Sequence, residues 1–351
     1  MIPFEYVRAT DVAGAVAAGS APGAAYLAAG TNLLDLMKGG VARPTRLVDI
    51  TRLPGLAAVE RRDDGGLRIG ALARNSDLAH DPAFAKAYPA VAEALLSGAS
   101  AQLRNAATAA GNVMQRTRCP YFTDPGSACN KRRPGSGCDA VGGETRLHAV
   151  LGWSEACIAT HPSDFCVPLV ALDAGVEIAG PAGTRLVPLE SFHRLPGDAP
   201  ERETVLEPGE LITALVLPPE AVAFAGHSRY LKVRDRTSYA FAVVSAAAAL
   251  RIEDGRIAEA RLALGGVALK PWRAKAAEGL LAGRAPDATA FRAAAEAALA
   301  DAKPSGDNAF KIELARRLVV RALTAAAAGT PARLPALPGS VLAPAPEAAH
   351  A

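Results

Sequence analysis

The stretch Ala25-Tyr26-Leu27-Ala28-Ala29-Gly30-Thr31-Asn32-Leu33-Leu34-Asp35-Leu36-Met37-Lys38 decides the fold. Ala25 to Ala28 reads as a short buried strand. Leu33, Leu34, Leu36 and Met37 then fall at helix-like spacing, which Gly39-Gly40 stops. The junction between them is small-residued and carries Gly30, Thr31 and Asn32. A pyrophosphate needs converging backbone N–H groups with little side-chain bulk in the way, and such a junction supplies them. Thr108-Ala109-Ala110-Gly111-Asn112 is a second segment of this kind. Each is also read as an ordinary turn or helix cap, and neither fits the G-x-G-x-x-G dinucleotide fingerprint.

Working outward, Thr10 or Asp11 caps a short Ala/Val helix, and Arg46–Ile50 and Leu67–Leu72 read as strands. An amphipathic stretch covers residues 83–98, with Pro89 near a helix start. From Gln115 to Glu155 periodicity collapses into glycine, proline, arginine and cysteine. An irregular segment that long belongs in a compact domain only if it is functional or cross-linked. Beyond it, Asp164 is placed to cap a helix running to Ala174, and strand pairs continue to Leu217. Pro218-Pro219 marks a boundary. Two strands then flank a turn at Glu253-Asp254-Gly255-Arg256, and helices follow near 270–283, 287–300 and 308–327. Strands followed by helices indicate a separate α+β unit. The last residues, 330–351, are rich in proline and alanine without periodicity and read as a disordered tail.

Composition excludes several classes. The 351 residues carry 38 basic and 35 acidic side chains, a balance that gives no general reason to expect nucleic acid or membrane as partner. No apolar run approaches the roughly 20 residues of a membrane span. Met1 to Arg8 lacks the charged start and apolar core of a secretion signal, so the chain is expected to fold in the cytoplasm. No Ser-His-Asp or paired-carboxylate arrangement suggests hydrolysis.

Of five cysteines, Cys119, Cys129, Cys138 and Cys157 fall in or at the edge of the irregular segment, spaced C-x9-C-x8-C-x18-C. This is neither a ferredoxin nor a two-knuckle zinc pattern, and on spacing alone zinc, an iron–sulfur cluster and unligated thiols stay open. The segment is poor in apolar residues, so something other than burial must order it. It also carries Arg116, Arg118, Lys131, Arg132 and Arg133, cations suited to a net-negative thiolate site. Cys166 lies instead in an apolar helical run and reads as core. The six histidines show no ligand-like spacing and read as structural or exposed.

The residues from Ala28 to Lys38 closely resemble the first FAD loop of the flavoprotein subunits of molybdenum hydroxylases, the family of xanthine dehydrogenases, carbon monoxide dehydrogenases and aldehyde oxidoreductases. Thr108 to Asn112 resembles the second loop. His161-Pro162-Ser163-Asp164 and Gly209-Glu210-Leu211-Ile212, the latter followed by Leu217-Pro218, resemble the third and fourth motifs. The resemblance runs to about residue 328. It departs at Ala29 and Ala110, where the family often has glycine. The cysteine segments Arg118 to Phe122, Cys129 to Arg132, Pro134 to Cys138 and Glu155 to Ala159 resemble the insertion of one branch, typified by the bacterial periplasmic aldehyde oxidoreductase.

What the resemblance implies is an α+β chain. A two-lobed FAD-binding domain would span 1–219, interrupted by an iron–sulfur insertion at about 115–158, with a C-terminal α+β domain over 220–329. FAD would be held by Ala28, Ala29, Gly30, Thr31, Asn32, Leu33 and Leu34 and by Thr108, Gly111 and Asn112, with Asp164, Ile212 and Lys232 near the flavin. Cys119, Cys129, Cys138 and Cys157 would hold a [4Fe–4S] cluster. The implied activity is electron transfer in a molybdenum-dependent aldehyde oxidoreductase, beside a large molybdenum-cofactor subunit and a small [2Fe–2S] subunit. Export in complex with a partner would place it in the periplasm. A self-contained FAD oxidase of the vanillyl-alcohol type and a non-enzymatic zinc scaffold are the alternatives.

Overall fold

The computed structural model describes residues 1–332; residues 333–351, most of the expected tail, lie outside the described residues. Three parallel strands open the chain, Glu5–Arg8, Ala24–Leu27 and Arg46–Asp49, with the last in the middle. Parallel neighbours need crossovers, and helices Val12–Gly19 and Leu33–Lys38 provide them. Asp11 caps the first, accepting from the Gly14 N–H at 2.7 Å. Ala15, Val16, Val48 and Ile50 form this lobe's small core. At the end of the middle strand, Asp49 is buried and receives bonds from Tyr6, Arg8 and Thr51. Burial pulls its carboxyl up, but bonds from Thr51, Tyr6 and Arg8 outweigh that and hold it at about 2.

The second lobe is built on a five-stranded antiparallel sheet in the order Val59–Arg61, Leu67–Gly70, Leu211–Leu217, Gly175–Gly180, Gly183–Pro188. Its middle strand is buried at every position, which is why its sequence is a continuous apolar run rather than an alternation. The amphipathic stretch at 83–98 resolves into two helices, Pro82–Ala87 and Pro89–Ser97. Pro89 opens the second, where its missing N–H costs nothing. Helix Cys166–Ala171 packs beneath with Phe165, Leu169 and Val170 in the same core. The expected cap is one residue off. Ser163 Oγ, not Asp164, accepts from the Cys166 N–H, and the Asp164 carboxylate is committed elsewhere.

The C-terminal unit is a four-stranded antiparallel sheet, ordered Trp272–Arg273, Arg256–Gly265, Val244–Glu253, Ser228–Val233. Helices Lys275–Leu281, Ala288–Ala298 and Phe310–Ala327 cover one face. Asp254 and Gly255 both take positive φ, as a two-residue hairpin turn requires. The helix expected from 270 begins later because Trp272 and Arg273 pair at the sheet edge instead. Residues 114–165 contain a single helical turn, Pro120–Thr123, and are otherwise irregular. They lie against all the other parts. Among the described residues no helix is long and apolar enough to cross a membrane.

Candidate functional site

The first loop is shaped by Gly30. Its φ of +74° belongs to the left-handed region, and a Cβ there would stand 2.7 Å from Leu34 Cδ1. Asn32 occupies the cap position of helix Leu33–Lys38 without capping it. Its Oδ1 accepts from the Arg116 N–H at 3.0 Å, while its buried Nδ2 has no partner. The second loop, at the start of helix Ala109–Val113, is capped by Thr108, whose Oγ1 accepts from the Gly111 N–H. A Cβ at Gly111 would meet that hydroxyl at 2.9 Å. Asn112 Oδ1 accepts from Gln115 Nε2 at 2.5 Å and from Ser163 Oγ at 2.8 Å, tying the loop to the third motif.

These loops face one another across a cleft of about 460 Å³, lined by Thr31, Asn32, Gly111, Asn112, Asp164 and Lys232 among others. That volume is in the range of cofactor pockets. Gly30, Leu34 and Thr108 do not themselves line it. Ala28 packs on the N-terminal core, and Ala29 and Leu33 are half-buried beside it. Ile212, expected near the flavin, does not line this cleft. Its side chain packs in the core with Ile178 and Leu215 and is 3% exposed, on a strand covered on both faces whose register shifts beside it. Four buried polar atoms with no protein partner, Asn32 Nδ2, Asn75 Oδ1, Arg104 Nε and Arg118 Nε, belong to residues lining the cleft. Buried donors and acceptors are rarely left unpaired, so this lining fits a polar ligand such as FAD.

At the inner end, Asp164 Oδ2 receives Lys232 Nζ at 2.7 Å and Oδ1 receives the Tyr230 hydroxyl at 2.5 Å. Lys232 also donates to the Ser97 carbonyl. Burial, and then the Asp164 charge, push the Tyr230 phenol well above its usual range. Glu93 takes Arg229 and the Tyr230 N–H alongside. Strand Ser228–Val233 thus carries a cation for each of two buried carboxylates of the FAD lobe.

Cys119, Cys129, Cys138 and Cys157 line one small enclosed cavity with Tyr121 and Phe122, and all four thiols are free. Cys129 and Cys138 oppose each other in an isolated antiparallel bridge. Burial pushes the Cys119 thiol up to about 12, so a cation is needed to make it a thiolate. No three of these sulfurs lie within 4.8 Å of one another among the described residues. Tetrahedral zinc at its usual bond length needs sulfur separations of ~3.8 Å. A four-thiolate donor set is found for structural zinc and for iron–sulfur clusters alike. Lys131, 1% exposed, pairs with Glu203, which Arg116 also holds.

The fold also assembles residues that local spacing did not single out. His161, His193 and Cys166 bring ligand-type atoms within 4.8 Å of one another, all buried. His161 Nδ1 accepts from the Ser163 N–H, so its proton sits on Nε2 and no lone pair is left there for an ion. Burial holds His193 down at about 4 and His161 well below its usual value, so both are neutral core groups. His148 Nε2 lies 3.2 Å from Cys119 Sγ. Lys311 is fully buried, donating to the carbonyls of Leu147, His148 and Gly266. Burial, with Arg146 nearby, pushes it down to about 7. Its partners are up to 164 residues away, so no local pattern could have revealed it.

Residues 2–220 match the family model described as FAD binding domain in molybdopterin dehydrogenase, and residues 229–326 match CO dehydrogenase flavoprotein C-terminal domain. The chain is 51% identical to the aldehyde oxidoreductase FAD-binding subunit PaoB of Escherichia coli (strain K12), over 93% of this chain and 99% of that one. It is 29% identical to the carbon monoxide dehydrogenase medium chain of Hydrogenophaga pseudoflava, over 93% and 98%. Among solved structures, a carbon monoxide dehydrogenase from Hydrogenophaga pseudoflava aligns with a TM-score of 0.72 at 29% identity, covering 93% and 99%. The reconstituted CO dehydrogenase from Oligotropha carboxidovorans aligns at 0.73 and 26%, covering 94% and 100%.

Proposed function

We propose, from the premise that this chain belongs to the FAD-binding medium subunits of the molybdenum hydroxylase family, that it is the electron-transfer subunit of an aldehyde-oxidising member and holds a [4Fe–4S] cluster beside its FAD. The observation that carries the reading is the convergence of all four insertion cysteines on one cavity whose wall adjoins the FAD cleft. Cys119 and Asp164 line a single intervening space with Phe241. The identity to an aldehyde oxidoreductase subunit supports the substrate class.

Bound FAD supplies one- and two-electron chemistry and a cubane cluster supplies one-electron chemistry. The chain's own residues position these groups. Gly30 and Gly111 keep the loops free of side-chain bulk, and Asn32 Nδ2 offers a donor. Lys232 sits at the inner end as a cation fixed by Asp164. Substrate would be oxidised on a large molybdenum-cofactor subunit. Electrons would arrive by way of a small [2Fe–2S] subunit, and this chain would hand them to an external acceptor. A periplasmic location, reached bound to a partner, belongs to the same reading.

Co-expression with its partners, followed by an absorption spectrum and metal analysis, tests it. The expected result is one FAD and about four irons per chain, the content of one such cluster. Zinc without iron or flavin would establish the zinc scaffold, and full turnover without partners would establish a self-contained oxidase.

A further inference from the structure

We propose that His148 donates a hydrogen bond from Nε2 to the Cys119 sulfur and raises the reduction potential of the metal centre held there, with Lys311 and Asn308 as the clamp that fixes the backbone carrying the imidazole. The inference rests on the cluster reading above. The N···S separation is 3.2 Å. A metal-bound thiolate has no proton to give, so the proton between these atoms must come from the ring. His148 Nδ1 is buried and has no partner, so no other contact draws the proton to the far nitrogen.

The backbone at His148 is held at both of its polar groups. Its N–H donates to Thr145 O at 2.8 Å. Its carbonyl accepts from Lys311 Nζ at 2.8 Å and from Asn308 Nδ2 at 3.1 Å. Lys311 spends its other two N–H bonds on Leu147 and Gly266, and no carboxylate pairs with it among the described residues. A buried lysine given wholly to carbonyls around one residue, with a buried asparagine donating to that residue's carbonyl beside it, fixes the residue's backbone. His148 has no part in the flavin loops. It stands with Cys119 on the wall shared with Asp164 and Phe241, the side of the cluster cavity toward the flavin.

Reduction adds one electron and so one negative charge, delocalised onto the ligand sulfurs. An N–H dipole aimed at one sulfur stabilises the reduced form more than the oxidised, which raises the potential; no proton moves. Removing a bond of this class should lower the reduced-to-oxidised ratio, at the wild-type midpoint, roughly three- to tenfold.

The test is an EPR-monitored redox titration of the co-purified complex, wild type against His148→Leu and His148→Gln, with iron counted in each. The expected result is full iron in all three, a lower midpoint in His148→Leu, and a midpoint closer to wild type in His148→Gln, which keeps a donor. Full iron with an unchanged midpoint in His148→Leu would overturn the role of His148 and leave the cluster reading standing. A wild-type complex without iron would overturn the cluster reading itself. Should His148→Leu lose its iron, the decision passes to wild-type protein labelled with 15N-histidine. Hyperfine coupling of the reduced centre to a histidine nitrogen is expected, and its absence would refute the contact.

Discussion

Replacing Lys232 with Met removes one half of a buried ion pair and leaves the other in place. The two side chains are 4% and 7% exposed, and their charged atoms are 2.7 Å apart. At that separation Coulomb attraction at an effective dielectric of 20 is ~6 kcal/mol, much of it offset by desolvation. The cost of leaving Asp164 unpaired is larger than the net worth of the pair, about 3–5 kcal/mol. Tyr230 still donates to one oxygen, which places the expectation at the lower end. For a unit of about 200 residues each kcal/mol moves the midpoint by about 2–4 °C, so at about 3 kcal/mol Lys232→Met should melt roughly 6–12 °C below wild type. Thermal melting followed by fluorescence, with and without added FAD, measures this. Changing Asp164 to Asn in the same chain removes the stranded charge and should restore much of the loss. A drop below about 1 kcal/mol in the single variant, or a double variant as unstable as the two singles summed, would refute the reasoning.

Asn32→Phe and Gly111→Phe should each abolish FAD binding, read by flavin absorbance after gel filtration; stoichiometric FAD in both would sink the loop assignment. Cys138→Ser should lose iron and keep FAD, whereas Cys166→Ala should keep its iron at a packing cost of about 1 kcal/mol. Iron loss in the Cys166 variant with iron kept in Cys138→Ser would reverse the assignment. Asp49 is held at about 2, below its unfolded value, so its contribution is complete above about pH 4 and fades as pH falls toward 2. Its partner Arg8 is exposed and screened, so Asp49→Asn should cost on the order of 1 kcal/mol at pH 7 and almost nothing near pH 2, read by melting across that range.

What was legible in the sequence was local. The strand, glycine junction and helix at 25–38 follow from nearest-neighbour chemistry, as does the Asp254-Gly255 turn. Pro89 announced a helix start because its ring forbids anything earlier. The irregular segment was visible through the loss of periodicity. What stayed hidden depends on partners far along the chain. Asp164 looks like a helix cap until Tyr230 and Lys232 arrive from another sheet. Ile212 resembles a flavin contact through its motif, but its side chain packs into the core of a strand covered on both faces. His148 had no distinguishing neighbours. Its meaning comes from Cys119, 29 residues earlier, and Lys311, 163 residues later.

The clamp on the insertion has a consequence for biosynthesis. Thr145 Oγ1 accepts from the Asp307 N–H, Ala149 O accepts from the Ser305 hydroxyl, and Val150 O accepts from the Lys303 N–H. The segment that carries His148 therefore cannot settle until residues 303–311 have left the ribosome, long after the cysteines themselves. If the four cysteines hold a metal centre as proposed, its loading would follow the docking of residues 303–311 and so come late in synthesis. Arrested chains ending at residue 300 should leave 145–151 open to protease, while released full-length chains protect it. Equal protection in both would show that the insertion orders itself without the last helix.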